Sequence, residues 1–295
     1  MSTTPVIEVD ELNVSYGDFH AVRDLSFEVR RGELYALLGT NGAGKTTTLE
    51  TVEGHRSPTT GTVRVFGHSP GNRRAVRPRM GVMLQESGFA PDLTVRESVR
   101  LIGRLTRRTD DVDRVLDLVD LTGRAGRKVS QLSGGEKRRL DFATAVFGSP
   151  ELIFLDEPTT GLDIQSRDDL WETVNRLREN GATIVLTTHY LEEAQQRADR
   201  IGLMHQGTLH REGTVSELTR TLPAVVRFSL PGPAPAADLP LQAVADADGR
   251  VVVETFALQK DLHVLLRWAQ DNAVELRDLE AGPTRLDDVF RAIGT

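Results

Sequence analysis

The stretch that decides the fold is Leu34-Tyr35-Ala36-Leu37-Leu38-Gly39-Thr40-Asn41-Gly42-Ala43-Gly44-Lys45-Thr46. A short apolar run ends in glycine and reads as a buried strand. A helix is expected from Lys45 to about Glu53. Between them, Gly39 to Thr46 matches the full phosphate-loop pattern, in the strand-then-helix setting which that pattern requires. Its glycines let backbone N–H groups wrap phosphates. Lys45 supplies a point charge to the outer phosphates, and the Thr46 hydroxyl is a ligand type for Mg2+. A glycine-rich turn before an ordinary helix is the bland alternative; pattern and context together weigh against it.

Outward from this loop, further apolar runs read as strands: Val6 to Val14, Leu25 to Val29, Met80 to Leu84, Leu152 to Leu155, Thr183 to Thr187 and Ile201 to Met204. Helices are expected in two pieces between Leu93 and Asp120, broken near Thr109, and over Glu136–Ala145, Ser166–Glu179 and Glu192–Ala198. Apolar strands alternating with amphipathic helices imply an α/β core with a parallel sheet. The helical stretch, about 90–148, reads as a subdomain inserted into it. Composition changes near Leu222-Pro223, and 231–237 is a Pro/Ala-rich loop. Beyond it, strands at Val225–Leu230, Val251–Thr255 and Val274–Leu279 and helices at Gln259–Ala269 and Leu286–Ile293 suggest a small α+β domain. The expected division is 1–221 and 222–295.

The chain has 295 residues and a net charge of −7, which disfavours a general nucleic-acid binder, because such domains carry a basic face. It has no cysteine, so disulfides and thiolate metal sites are excluded. Met1 to Pro5 lacks the basic-then-apolar pattern of a signal peptide. No apolar run approaches the roughly 20 residues needed to span a bilayer, so any membrane-spanning part is expected from another chain.

Asp156 and Glu157 end the strand Leu152–Leu155. An acid there can hold Mg2+, and the next can polarise an attacking water. His189 follows Thr187-Thr188 at another strand end. In a doubly wound sheet the strand C-terminal ends face the ligand, so this histidine could donate to a γ-phosphate. Gln85 stands after the strand Met80–Leu84, where its carboxamide can bind Mg2+ or orient water. Tyr16 follows the first strand and could stack on adenine, although such a tyrosine is more often packing. Leu132-Ser133-Gly134-Gly135-Glu136 opens a charged helix, whose free N–H groups and positive dipole end suit a phosphate.

In this order the elements resemble the ATP-binding subunit of an ABC transporter. Tyr16 matches the adenine-stacking loop; Gly39 to Thr46, with Thr47, matches Walker A; Gln85 matches the Q-loop. Ser133, Gly134 and Gly135 belong to the signature. Asp156 and Glu157 close Walker B, Gly161-Leu162-Asp163 matches the D-loop, and His189 the switch histidine. The resemblance spans about Val6 to Glu217. It implies a P-loop core with a mostly parallel sheet, an N-terminal antiparallel β subdomain and an inserted helical subdomain. It also implies ATP and Mg2+ as ligands, with Glu157, His189, Lys45 and Gln85 as catalytic residues. The expected partners are a second ATPase subunit, taken as another copy of this chain, and an integral membrane permease subunit. That places the chain at the cytoplasmic face of the membrane. The tail, with Thr284-Arg285-Leu286-Asp287-Asp288-Val289-Phe290, resembles the extension of drug-exporter subunits. A soluble ABC ATPase acting on ribosomes or DNA is the alternative, disfavoured by the single cassette and the acidic balance. Glu136 stands where glutamine is commoner in the family. Its charge beside the ligand is expected to weaken ATP-driven closure slightly.

Overall fold

The computed structural model describes residues 5–85, 88–220, 222–230, 239–245 and 249–294. The chain divides into two units, Met1–Thr214 and Val215–Thr295. The first unit runs β1 (Pro5–Tyr16), β2 (Phe19–Arg30), β3 (Leu34–Gly39), α1 (Lys45–Val52), β4 (Thr60–Val65), α2 (Arg73–Val76) and β5 (Met80–Met83). It continues through α3 (Val95–Thr106), α4 (Val112–Leu118), α5 (Gly134–Val146), β6 (Leu152–Asp156) and α6 (Ile164–Glu179). It ends with β7 (Thr183–Thr187), α7 (Leu191–Arg197), β8 (Arg200–His205) and β9 (Thr208–Gly213).

A six-stranded sheet has the order β5-β6-β7-β3-β8-β9. Every neighbouring pair in it is parallel except β8 and β9. Because β3, β5, β6 and β7 point the same way, Gly39, Met83, Asp156 and Thr187 end on one edge of the sheet. Leu34 to Leu38 are all buried, as a strand covered on both faces must be. A three-stranded antiparallel sheet, β2-β1-β4, forms beside it. Val9, Leu12, Val22 and Val65 of that sheet share one core with Leu37, Val52 and Phe154. The sheet composition expected for the core is therefore present.

Local chemistry sets the helix starts. Thr94 caps α3 and Ser133 caps α5, each in a capping box completed by a glutamate three residues on, Glu97 and Glu136. Asp163 caps α6 through the Ser166 N–H. The helix α5 packs on β5, α3 and α4. It approaches β5 so closely that a Cβ on Gly81 would lie 1.9 Å from the Ala145 carbonyl oxygen. At position 81 the strand has room for a bare backbone only.

The second unit contains α8 (Val215–Thr219), β10 (Ala224–Ser229), β11 (Val244–Ala245), β12 (Val251–Thr255), α9 (Leu258–Asp271), β13 (Arg277–Gly282) and α10 (Leu286–Gly294). Its sheet order is β11-β12-β10-β13, all antiparallel. Val226, Phe228 and Val253 pack with Leu265 of α9 in a separate small core.

The strand expected at Val274–Leu279 lies three residues later. The preceding helix runs on to Asp271, and the Val274 N–H still bonds to the Ala269 carbonyl, so the chain is not free to extend before Arg277. Three strands among the described residues carried too little apolar signal to be read from sequence, the third being the two-residue, exposed β11. β4 buries only Val63 and Val65, and β9 buries only Gly213.

Candidate functional site

The glycine-rich loop is shaped by one residue above all. Gly44 sits at φ 96°, and a Cβ there would come within 2.5 Å of the Ala21 carbonyl oxygen. Only glycine satisfies both conditions. From this turn α1 starts, with Lys45, Thr46 and Thr47 in its first turn. The Lys45 Nζ folds back and donates to the carbonyls of Gly39 (2.6 Å) and Thr40 (3.2 Å). Burial pushes the Lys45 ammonium below its ordinary pKa, and the negative charges of Glu157 and Asp156 oppose that shift. The loop lysine thus lies within the field of both strand-end acids. Ala43 closes the turn by donating its N–H to the Thr40 carbonyl at 3.1 Å, with Asn41 and Gly42 between.

The acids are held from the neighbouring strand. The Thr187 hydroxyl donates to Asp156 Oδ1. The Glu157 N–H donates to the Thr187 carbonyl at 2.9 Å. Glu157 adopts φ 49°, the left-handed region, which costs a non-glycine residue roughly 1–2 kcal/mol. Its carboxylate Oε2 lies 2.6 Å from His189 Nδ1. His189 is exposed, and its ring lies tilted against that of Tyr190, with centroids 4.0 Å apart. The structure therefore joins Glu157 and His189, two residues that the sequence placed on separate strand ends.

Tyr16 reaches the same loop: its hydroxyl lies 3.3 Å from Thr47 Oγ1. One face of the ring is covered by Arg56, whose guanidinium carbon lies 4.3 Å from the ring centroid. An ion pair to Glu50 of α1 anchors Arg56 in turn, at 3.1 Å. Gln85, just past β5, is exposed. Sequence reasoning missed Arg56, because a lone arginine after a helix carries no motif.

It also missed Arg138, on α5. This side chain is buried, and among the described residues its hydrogen bonds go to backbone carbonyls, with the Asp141 carboxylate 4.0 Å away as an ion-pair partner. Nη1 donates to Leu84 (2.6 Å) and Gln85 (3.2 Å). Nη2 donates to Asp156 and to Glu157 (2.6 Å), and Nε donates to Pro158 (3.3 Å). Burial pushes the Arg138 pKa down. In the sequence it is one of three adjacent cations, Lys137, Arg138 and Arg139, and nothing there singles it out.

At the start of α5 the Ser133 hydroxyl accepts from the Glu136 N–H at 3.2 Å, and the Ser133 N–H donates to Glu136 Oε2 at 2.8 Å. Arg124 Nε donates to Glu136 Oε1 at 2.6 Å. The Arg124 guanidinium, followed by the Ser133 N–H, lowers the Glu136 pKa to about 2. The charge expected to trouble a ligand here is thus already paired within the chain. Among the described residues no hydrogen bond links Ser133, Gly134 or Gly135 to the Gly39–Thr46 loop. A Cβ on Gly135 would meet Leu162 and Gly161, at 3.9 and 4.0 Å. The chain brings together the loop, Asp156, Glu157, His189 and Tyr16, and leaves the Ser133 segment apart.

Comparisons with known proteins show the family to which this fold belongs. The family model described as ABC transporter matches residues 22–160, and a second, described as an ABC transporter domain-containing protein-like C-terminal domain, matches 224–284. The Nod factor export ATP-binding protein I of Paraburkholderia xenovorans is 38% identical, over 96% of this chain and 95% of its own length. The daunorubicin resistance ATP-binding protein DrrA3 of Streptomyces coeruleorubidus is 37% identical, over 96% and 94%. A solved ATP-binding subunit of an ABC transporter superposes with a TM-score of 0.69 at 28% identity, covering 73% of this chain and 92% of that one. With the sheet, the loop and the strand-end acids in place and the similarity running through both units, this chain belongs to the ABC transporter family, as an ATP-binding and ATP-hydrolysing subunit.

Proposed function

We propose that this chain powers an exporter, from the cytoplasmic face of a membrane, through ATP-driven pairing with a second ATPase subunit. Its similarity to a Nod factor export subunit and a daunorubicin resistance subunit over nearly the whole length supports export. Among the described residues no helix is long and apolar enough to cross a membrane. A separate integral permease would therefore form the path, docking near Gln85 and the helices that follow. The first unit, Met1–Thr214, would be the ATPase domain and the second, Val215–Thr295, an accessory domain, a boundary seven residues before the expected 221/222 division.

The observation that carries the mechanism is the Glu157–His189 contact at 2.6 Å, on the sheet edge whose acids Asp156 and Glu157 act on the Lys45 ammonium. In this reading ATP lies along the Gly39–Thr47 loop, with adenine against the open face of Tyr16. Lys45 exchanges its two loop carbonyls for phosphate oxygens. Thr46, Asp156 and Gln85 would hold Mg2+: a hydroxyl, a carboxylate and a carboxamide are the oxygen donors this ion takes. Bound there, the ion would offset phosphate negative charge. Water attacks the γ-phosphorus, the bond to the ADP oxygen breaks, and Glu157 accepts the water proton. His189 orients the Glu157 carboxylate and can donate to the γ-phosphate.

Ser133, Gly134 and Gly135 would complete the site on the facing subunit. Their α5 N–H groups and dipole favour a phosphate, while among the described residues they make no bond to the loop. A γ-phosphate bridges the two faces, whereas ADP leaves the second unmet, so closure follows ATP and opening follows hydrolysis. Glu157→Gln is expected to keep ATP affinity, read by calorimetry, and to slow phosphate release by about 100-fold or more. Near-normal turnover in that variant would remove Glu157 from this role.

A further inference from the structure

We propose that Arg138 is a positioning residue for Glu157, tying the geometry of that acid to the loop at Gln85. The inference rests on the reading of Glu157 as the group that takes the water proton. A guanidinium has five N–H donors in a rigid plane. In Arg138 each finds a carbonyl, on Leu84, Gln85, Asp156, Glu157 and Pro158. The guanidinium thus spans two neighbouring strand ends, those of β5 and β6.

Two of these carbonyls have a specific consequence. The Asp156 carbonyl belongs to the peptide plane before Glu157, and the Glu157 carbonyl to the plane after it. Fixing both planes fixes φ and ψ of residue 157, and hence the direction of its Cα–Cβ bond. Glu157 is also the residue in this segment held at a positive φ, 49°. Arg138 therefore clamps a conformation that an isolated chain would avoid. On its other side it grips Leu84 and Gln85. A displacement of that loop is felt at the peptide planes of Glu157 through a single rigid group. Lysine cannot replace it, because an ammonium offers three donors and no plane.

The test is a double-mutant cycle in the full chain. Arg138→Lys is expected to lower kcat by about tenfold or more, with ATP affinity held within about twofold. In the Glu157→Gln background the same change is expected to alter the residual rate by less than about twofold, because its effect passes through residue 157. A full repeat of the loss in that background, or no loss in the single variant, would overturn the inference while leaving Glu157 in its role. Normal turnover by Glu157→Gln alone would overturn the reading of Glu157 and this inference with it. A merely structural role would lower Tm and ATP affinity together with kcat. If Arg138→Lys gives no cooperative melt, Arg138→Gln, which keeps two N–H donors, takes its place in the same cycle, with the same two outcomes.

Discussion

Glu136 and Arg124 illustrate how a side chain's meaning depends on its neighbour. Read alone, a glutamate at the end of the signature places a negative charge beside an anionic ligand. In the fold Arg124 meets it at 2.6 Å and the Ser133 N–H caps its other oxygen. Its pKa of about 2 lies below the ordinary value of about 4.3. The pair therefore stabilises the fold above about pH 4.3, and that contribution is lost as pH falls towards 2. Arg124 is partly exposed, so the contribution is of order 1 kcal/mol or less. Thermal melts of Arg124→Gln against the wild type should show their largest gap near neutral pH, closing below about pH 4. A gap that stayed constant down to pH 3 would mean that Arg124 acts by packing.

At the scale of elements, two parts of α5 bear on the proposed site: its start, where Ser133 caps a first turn containing Gly134 and Gly135, and its second turn, which carries Arg138. Both depend on how closely it lies on β5, which Gly81 permits. Gly81→Val should force the helix off the strand, with a Tm fall of several degrees and a loss of ATPase activity larger than the loss of nucleotide binding. Unchanged melting and turnover would show that the helix can shift without cost. Most of the core elements were legible in the sequence, because buried parallel strands are continuous apolar runs and the loop motif has one structural setting. The polar edge strand β9 and the sparsely buried β4 were not, since their pairing partners, not their composition, make them strands. The same limit applies within the site. Motif residues such as Lys45 could be named from their spacing. Arg138 could not, because its five acceptors are backbone atoms that carry no residue identity.

Across the whole molecule, the sheet order β5-β6-β7-β3-β8-β9 has a consequence for how the chain is made. The loop strand β3 emerges early from the ribosome, yet both of its sheet neighbours, β7 and β8, lie at Thr183–Thr187 and Arg200–His205. Until about 200 residues have been synthesised, Leu34 to Gly39 is an apolar strand with two open edges. Pairing of this kind is slow and prone to misassociation. Arrested chains ending before Thr183 should be cut by protease within Leu34–Gly39, and chains extending past Gly213 should be protected there. Equal protection in both would show that another segment shelters β3 first. Translation therefore delivers the nucleotide loop long before the sheet that frames it, and a holdase or a pause in elongation near the second half of the cassette would act on that interval.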